Sequence, residues 1–90
     1  MVPDTTVQYS ILKDPNSVIA PLKKLTSNIR EKINDAIDSL QIDPRPPKHE
    51  VIPGLGNIPT IKLVITQGWY IMYQVDDQQT RIYILLVGRF

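Results

Sequence analysis

The chain has no cysteine. That excludes a disulfide framework, a thiolate metal site and a cysteine nucleophile. No apolar run approaches the roughly 18 residues that a membrane span requires, and Met1-Val2-Pro3-Asp4 does not open a signal peptide. We therefore expect a cytoplasmic protein. Charge of one sign is also missing: ten Lys/Arg against nine Asp/Glu leave a formal +1. That sum does not argue for nucleic-acid binding, which needs clustered cations. Ninety residues make one small domain, residues 1–90, that buries about 60–65% of the surface its unfolded chain exposes.

What is present is concentrated in the last thirty residues. Ile61-Lys62-Leu63, Gly68 to Asp77 and Ile82 to Phe90 are apolar-alternating runs separated by polar turns. They predict an antiparallel three-stranded meander with turns at Gln67-Gly68 and Asp76-Asp77-Gln78-Gln79. Alternation puts Trp69, Ile71, Tyr73 and Val75 on one face. Lys62, Tyr70, Met72 and Gln74 fall on the other.

Upstream, Gln8 to Leu12 reads as a short strand, and Asp14-Pro15 as a helix start with a side-chain cap. Pro21 limits the first helix, which we expect to reach Leu25. Leu22, Leu25, Ile29, Ile33, Ala36, Ile37 and Leu40 form one apolar stripe at helical spacing. Asn28 with Glu31 has the spacing of a capping box. Two helices meeting near Thr26 and one continuous helix from Leu22 to Leu40 both satisfy that stripe. Gln41 to Thr60 carries Pro44, Pro46, Pro47, Pro53 and Pro59 and reads as a loop. It is either a stiff crossover or, given its length, a binding loop. The expected class is α+β, in the order β-α-α-β-β-β, with an antiparallel sheet and two helices packed on one face.

Ile61-Lys62-Leu63, the Gly68-Trp69-Tyr70-Ile71-Met72-Tyr73-Gln74-Val75 strand, the acidic turn at Asp76-Asp77 and the Val87-Gly88-Arg89 ending together resemble the RelE branch of the RelE/ParE toxin superfamily. Lys24 to Lys32 is similar to that family's second-helix opening, and Pro53-Gly54-Leu55 sits where the family has a Leu-x-Gly segment. The likeness runs over residues 8 to 90. It implies a microbial-ribonuclease-like fold and the toxin half of a type II toxin–antitoxin system, a class tied to plasmid stabilisation. It implies a ribosome-dependent mRNA endonuclease, an mRNA interferase that inhibits translation and requires neither cofactor nor metal. The partners implied are a cognate antitoxin, the ribosome and mRNA.

Carried over residue by residue, the resemblance makes Lys62 a stabiliser of phosphate charge. Tyr70 stands where the family has a phosphate-binding arginine, and Arg89 falls on a variable basic position. Thr60 replaces a second family lysine, Phe90 occupies the place of a catalytic arginine, and the family's tyrosine lies beyond Phe90. The catalytic candidates are therefore Lys62, Tyr70 and Arg89, with His49 (beside Glu50) as a rebuilt acid or base. Arg45, Lys48 and Arg81 are the RNA-binding candidates. Val18, Ile19 and Leu22 are candidates for contact with an antitoxin helix. The departures leave a second class open: a catalytically degenerate RelE homologue or a ParE-like protein that inhibits gyrase by binding alone.

Overall fold

Asp14 begins the helical half as its sequence predicts. Its Oδ1 accepts hydrogen bonds from the Asn16 and Ser17 amides at 2.8 and 3.0 Å, with Pro15 at the first position. The Ser17 and Asn16 amides hold the Asp14 carboxyl below the usual carboxylate range. The structure, a computed structural model, describes residues 8–53 and 57–90. Gly54, Leu55 and Gly56, including most of the expected Leu-x-Gly segment, lie outside the described residues, as does the amino-terminal Met1-Val2-Pro3-Asp4.

Strand β1 (Ser10–Lys13) leads into a wide π-helical turn over Pro15–Ile19, which continues as helix α1 (Ala20–Lys23). Helix α2 (Ser27–Ser39) follows, then β2 (Glu50–Ile52), β3 (Thr60–Thr66), β4 (Trp69–Asp76) and β5 (Arg81–Arg89). The break at Thr26, whose backbone is extended, decides for two helices over one rod. Thr26, not Asn28, is the cap residue, and its side chain makes no capping bond. The helix begins one residue before Asn28, so the expected capping box does not form.

The five strands make one mixed sheet in the order β1-β5-β4-β3-β2. The α+β class and the meander are as expected. Two features are not. Strand β2 pairs antiparallel with β3, with Glu50 opposite Lys62, inside a segment whose prolines hide it. Strand β1 runs parallel to β5, because no hairpin joins them to dictate the opposite direction.

The predicted faces hold. Ile33 and Ile37 of α2 and Leu40 at its C-terminal cap are fully buried against Ile61 and Leu63 of β3, Ile71, Tyr73 and Val75 of β4, and Ile82 and Ile84 of β5. Val18 and Leu22 belong to this same core, which corrects their assignment to a partner surface. The π-turn aims Val18 inward, and only Ile19 of the three is exposed, at 38%.

The β3–β4 hairpin closes through Gln67 and Gly68 at φ 49° and 81°. Two positive φ values in a two-residue loop match the right-handed twist of the flanking strands. At the other hairpin, Asp76 accepts from the Gln79 amide at 3.1 Å. One register shift in the β4–β5 ladder matters for function. Met72 pairs with Leu86 but Tyr73 pairs with Ile84, leaving Leu85 as an extra residue. This bulge exchanges the faces of everything after it. It also offers the Leu85 carbonyl to the Ser17 hydroxyl.

The proline-rich segment is tied down from below and beside. Tyr73 donates its hydroxyl to the Pro44 carbonyl at 2.8 Å, and burial pushes that phenol up to about 12. Arg45 makes a bidentate pair with Asp77 at 2.9 and 3.2 Å, and Tyr9 donates to the same carboxylate at 2.7 Å. The Arg45 and then the Tyr9 hydrogen bonds hold the Asp77 carboxyl below its ordinary value. A depressed carboxyl contributes stability that is present above the unfolded value, near ~3.9 for Asp, and lost as pH falls through the lower folded value. In Asp77→Asn, unfolding followed by circular dichroism should therefore show a shallower loss of stability on acidification below that range. The contribution is modest because both partners are about half exposed.

Candidate functional site

The open face of the sheet gathers a cation and two rings at one end. Lys62 (β3) and Tyr70 (β4) are diagonal neighbours across the ladder, since Lys62 pairs with Met72 and Val64 with Tyr70. The Lys62 Nζ lies 4.8 Å from the centre of the Tyr70 ring and 4.3 Å from that of Phe90. The two rings are 5.2 Å apart and tilted by 40°. Each ring face attracts the ammonium, so the lysine is drawn to the rings although Glu50 is its partner across the β2–β3 ladder. Among the described residues no carboxylate lies within ion-pair distance of Lys62, so its charge remains available to an anion.

Two backbone features set this geometry. Gly88 pairs with Tyr70, and a Cβ there would come within 2.5 Å of the Tyr70 Cζ. The tyrosine ring thus lies flat on a position that only glycine leaves empty. Phe90 donates its amide to the Gly68 carbonyl at 2.9 Å, which anchors its exposed ring beside the hairpin. Gly88→Ala should swing the Tyr70 ring away from Lys62 and Phe90 while leaving the sheet intact. Loss of the ring-current shift on the Lys62 side-chain protons in NMR spectra would register it; an unchanged shift would contradict the packing.

These geometries can be set beside solved structures. A chain of the archaeal RelE–RelB complex from Pyrococcus horikoshii OT3 superposes with TM-score 0.79 at 18% identity, over 91% of this chain and 94% of that one. The isolated Escherichia coli RelE toxin gives TM-score 0.69 at 25% identity, over 90% and 83%. A chain of the RelBE2 toxin–antitoxin complex from Mycobacterium tuberculosis gives 0.73 at 21%, over 93% and 100%. The chain has the fold of the RelE toxins. No family model and no curated protein matches the sequence.

Within this RelE-like frame the candidate residues separate into groups. Lys62 and Tyr70 come together as described. Phe90 joins them as the second ring. Phe90 has no role in the sequence pattern, because it reaches this face only through the bulge at Leu85. Arg89 does not join them. The bulge at Leu85 turns it to the helix face, where its guanidinium lies 5.6 Å from the centre of the Trp69 ring.

His49 stands immediately before Glu50, whose ladder partner is Lys62, so β2 brings it to the edge beside the lysine's strand. Its Nδ1 lies 2.7 Å from the Pro46 carbonyl. A carbonyl can only accept, so Nδ1 carries the proton, and Nε2 is the nitrogen left to act as a base. Lys48, exposed, precedes it at the same end. Arg45 and Arg81 lie at the opposite end of the sheet, where Arg81 pairs with Asp76 across the ladder and Arg45 is committed to Asp77. The geometry separates both from Lys62.

The near-zero net charge conceals this polarity. Lys24, Lys48, Lys62 and Arg89 lie at the hairpin end with Glu50, on the two faces and the edge of the sheet, while at the other end Arg45 and Arg81 are matched by Asp43, Asp76 and Asp77. A polyanion would experience the local field and not the sum.

Proposed function

We propose that this chain is the toxin of a toxin–antitoxin pair and that it cleaves mRNA on the ribosome. The observation that carries this reading is a RelE fold presenting Lys62 on the open sheet face, held by two rings and, among the described residues, in no ion pair with a carboxylate. RNA supplies its own nucleophile. The 2′-oxygen attacks the adjacent phosphorus, negative charge builds on the equatorial oxygens, and the bond to the 5′-oxygen breaks. The chain's work is orientation, charge stabilisation and two proton transfers.

Each role has a candidate. The Lys62 ammonium offsets the charge that develops on phosphorus. The His49 Nε2 accepts the 2′-hydroxyl proton. The Tyr70 hydroxyl donates to the departing 5′-oxygen, and its ring with that of Phe90 aligns the strand. Lys48 adds phosphate attraction at the same edge. The antitoxin would silence this machinery by covering it.

A binding-only reading has one specific observation behind it. Arg89 faces the helices, so among the described residues Lys62 is the one cation in contact with the Tyr70 and Phe90 rings, which stand where the resemblance would put arginines. Mapping message ends by primer extension in a translating extract tests the first reading. Codon-phased cuts support it, and none at toxin concentrations matching the ribosomes would sink it. Inhibited supercoiling by purified gyrase under the same conditions would instead support the ParE-like alternative.

A further inference from the structure

The helix side of the same sheet end carries a groove that the cleavage reading does not use. It lies between the α1–α2 link and the β3–β4 hairpin and is lined by Lys24, Leu25, Ile29, Gln67, Trp69 and Arg89. Leu25, Ile29 and Trp69 pack on the core yet remain only partly buried, so the floor is apolar surface still open to water. Lys24 and Arg89 are exposed, and among the described residues neither forms an ion pair. Among the described residues no acidic side chain lines the groove. Arg30, the next cation along α2, is turned to the Leu25 carbonyl at 3.5 Å.

An apolar floor between two unneutralised cations has a definite complement. Covering the floor gains from apolar burial, and the flanking charges select carboxylates. Single-stranded RNA fits less well: Arg89 already lies over the Trp69 ring, and the rest of the floor is aliphatic, leaving no second ring for successive bases. We propose that this groove docks an acidic segment of a protein partner. One large apolar side chain seats on Leu25, Ile29 and Trp69, and neighbouring carboxylates pair with Lys24 and Arg89. The inference rests on the antitoxin half of the reading above and is independent of the ribonuclease half.

Trp69, the chain's single tryptophan, is a built-in reporter. Random peptides selected on the whole chain would be titrated while its emission is followed. The expected binders combine Asp or Glu with a large apolar residue, shift the emission saturably, and weaken about tenfold or more in the double variant Lys24→Glu/Arg89→Glu. Both positions are exposed, so the variant should fold, which circular dichroism checks. Selection without acidic-apolar enrichment, binding that leaves Trp69 unchanged, or affinity retained in the folded double variant would each overturn the proposal. So would oligouridylate occupying the groove more tightly than any selected peptide. Message cleavage that persists while no peptide binds would fail this proposal alone; peptide binding without cleavage would fail only the ribonuclease reading.

Discussion

Lys62→Ala is expected to lower codon-phased mRNA cleavage by about a hundredfold to a thousandfold, the usual loss when a preorganised group facing developing charge is removed. The effect should fall on the cleavage rate at saturating ribosomes more than on ribosome affinity, because the charge is needed most in the transition state. Lys62→Met separates charge from packing. It keeps a long stem against Tyr70 and Phe90, so it should match the alanine variant in activity and the parent in stability. Lys62→Arg keeps the charge but replaces a compact ammonium by a planar fork, and an intermediate rate is expected. Full activity in Lys62→Met would show that the lysine is only a solvated side chain.

Tyr73→Ala should be the most damaging single change to stability. The side chain is fully buried in the centre of β4 and reaches through the core to the Pro44 carbonyl. Deleting a buried ring costs about 3–5 kcal/mol, a large part of the roughly 5–15 kcal/mol that holds a domain together. Tyr73→Phe isolates the hydroxyl. It should cost about 1–3 kcal/mol, the range for stranding a buried hydrogen-bond partner. Denaturant midpoints in urea would read both changes. The phenylalanine variant should also loosen the segment around Pro44, seen as faster amide exchange there with the meander unchanged. Equal destabilisation by the two substitutions would contradict this division between ring and hydroxyl.

The parts of the fold legible in the sequence were those written in local periodicity. The stripe from Leu22 to Leu40 and the alternation of Trp69 to Val75 place the core without tertiary knowledge, and Asp14-Pro15 and Gln67-Gly68 announce a cap and a turn through their own backbone chemistry. Strand β2 was hidden because Glu50-Val51-Ile52 is short and lies among prolines. Its pairing is set by β3, which is distant in sequence. The parallel union of β1 with β5 was hidden for the same reason.

The site was less legible than the fold, and the cause is one residue. With unbroken alternation, Ile82, Ile84, Leu86, Gly88 and Phe90 would all face the core, and Arg89 would face the open side. The bulge at Leu85 reverses that order beyond it, which brings Phe90 to Lys62 and sends Arg89 to Trp69. Nothing in the run Ile82 to Phe90 marks Leu85 as the extra residue. The attachment of the π-turn to its carbonyl becomes visible only in three dimensions. Net charge says nothing of how the cations are distributed, because those at the hairpin end come from both halves of the sequence.

The chemistry of the cut ends tests the central claim most directly. The same message would be offered to the protein free in solution and bound on the ribosome, and the products separated by end group. Attack by the 2′-oxygen predicts cuts only on the ribosome, with a 2′,3′-cyclic phosphate on the upstream fragment and a 5′-hydroxyl on the downstream one. No cuts, or fragments ending in 3′-hydroxyl and 5′-phosphate, would contradict the account.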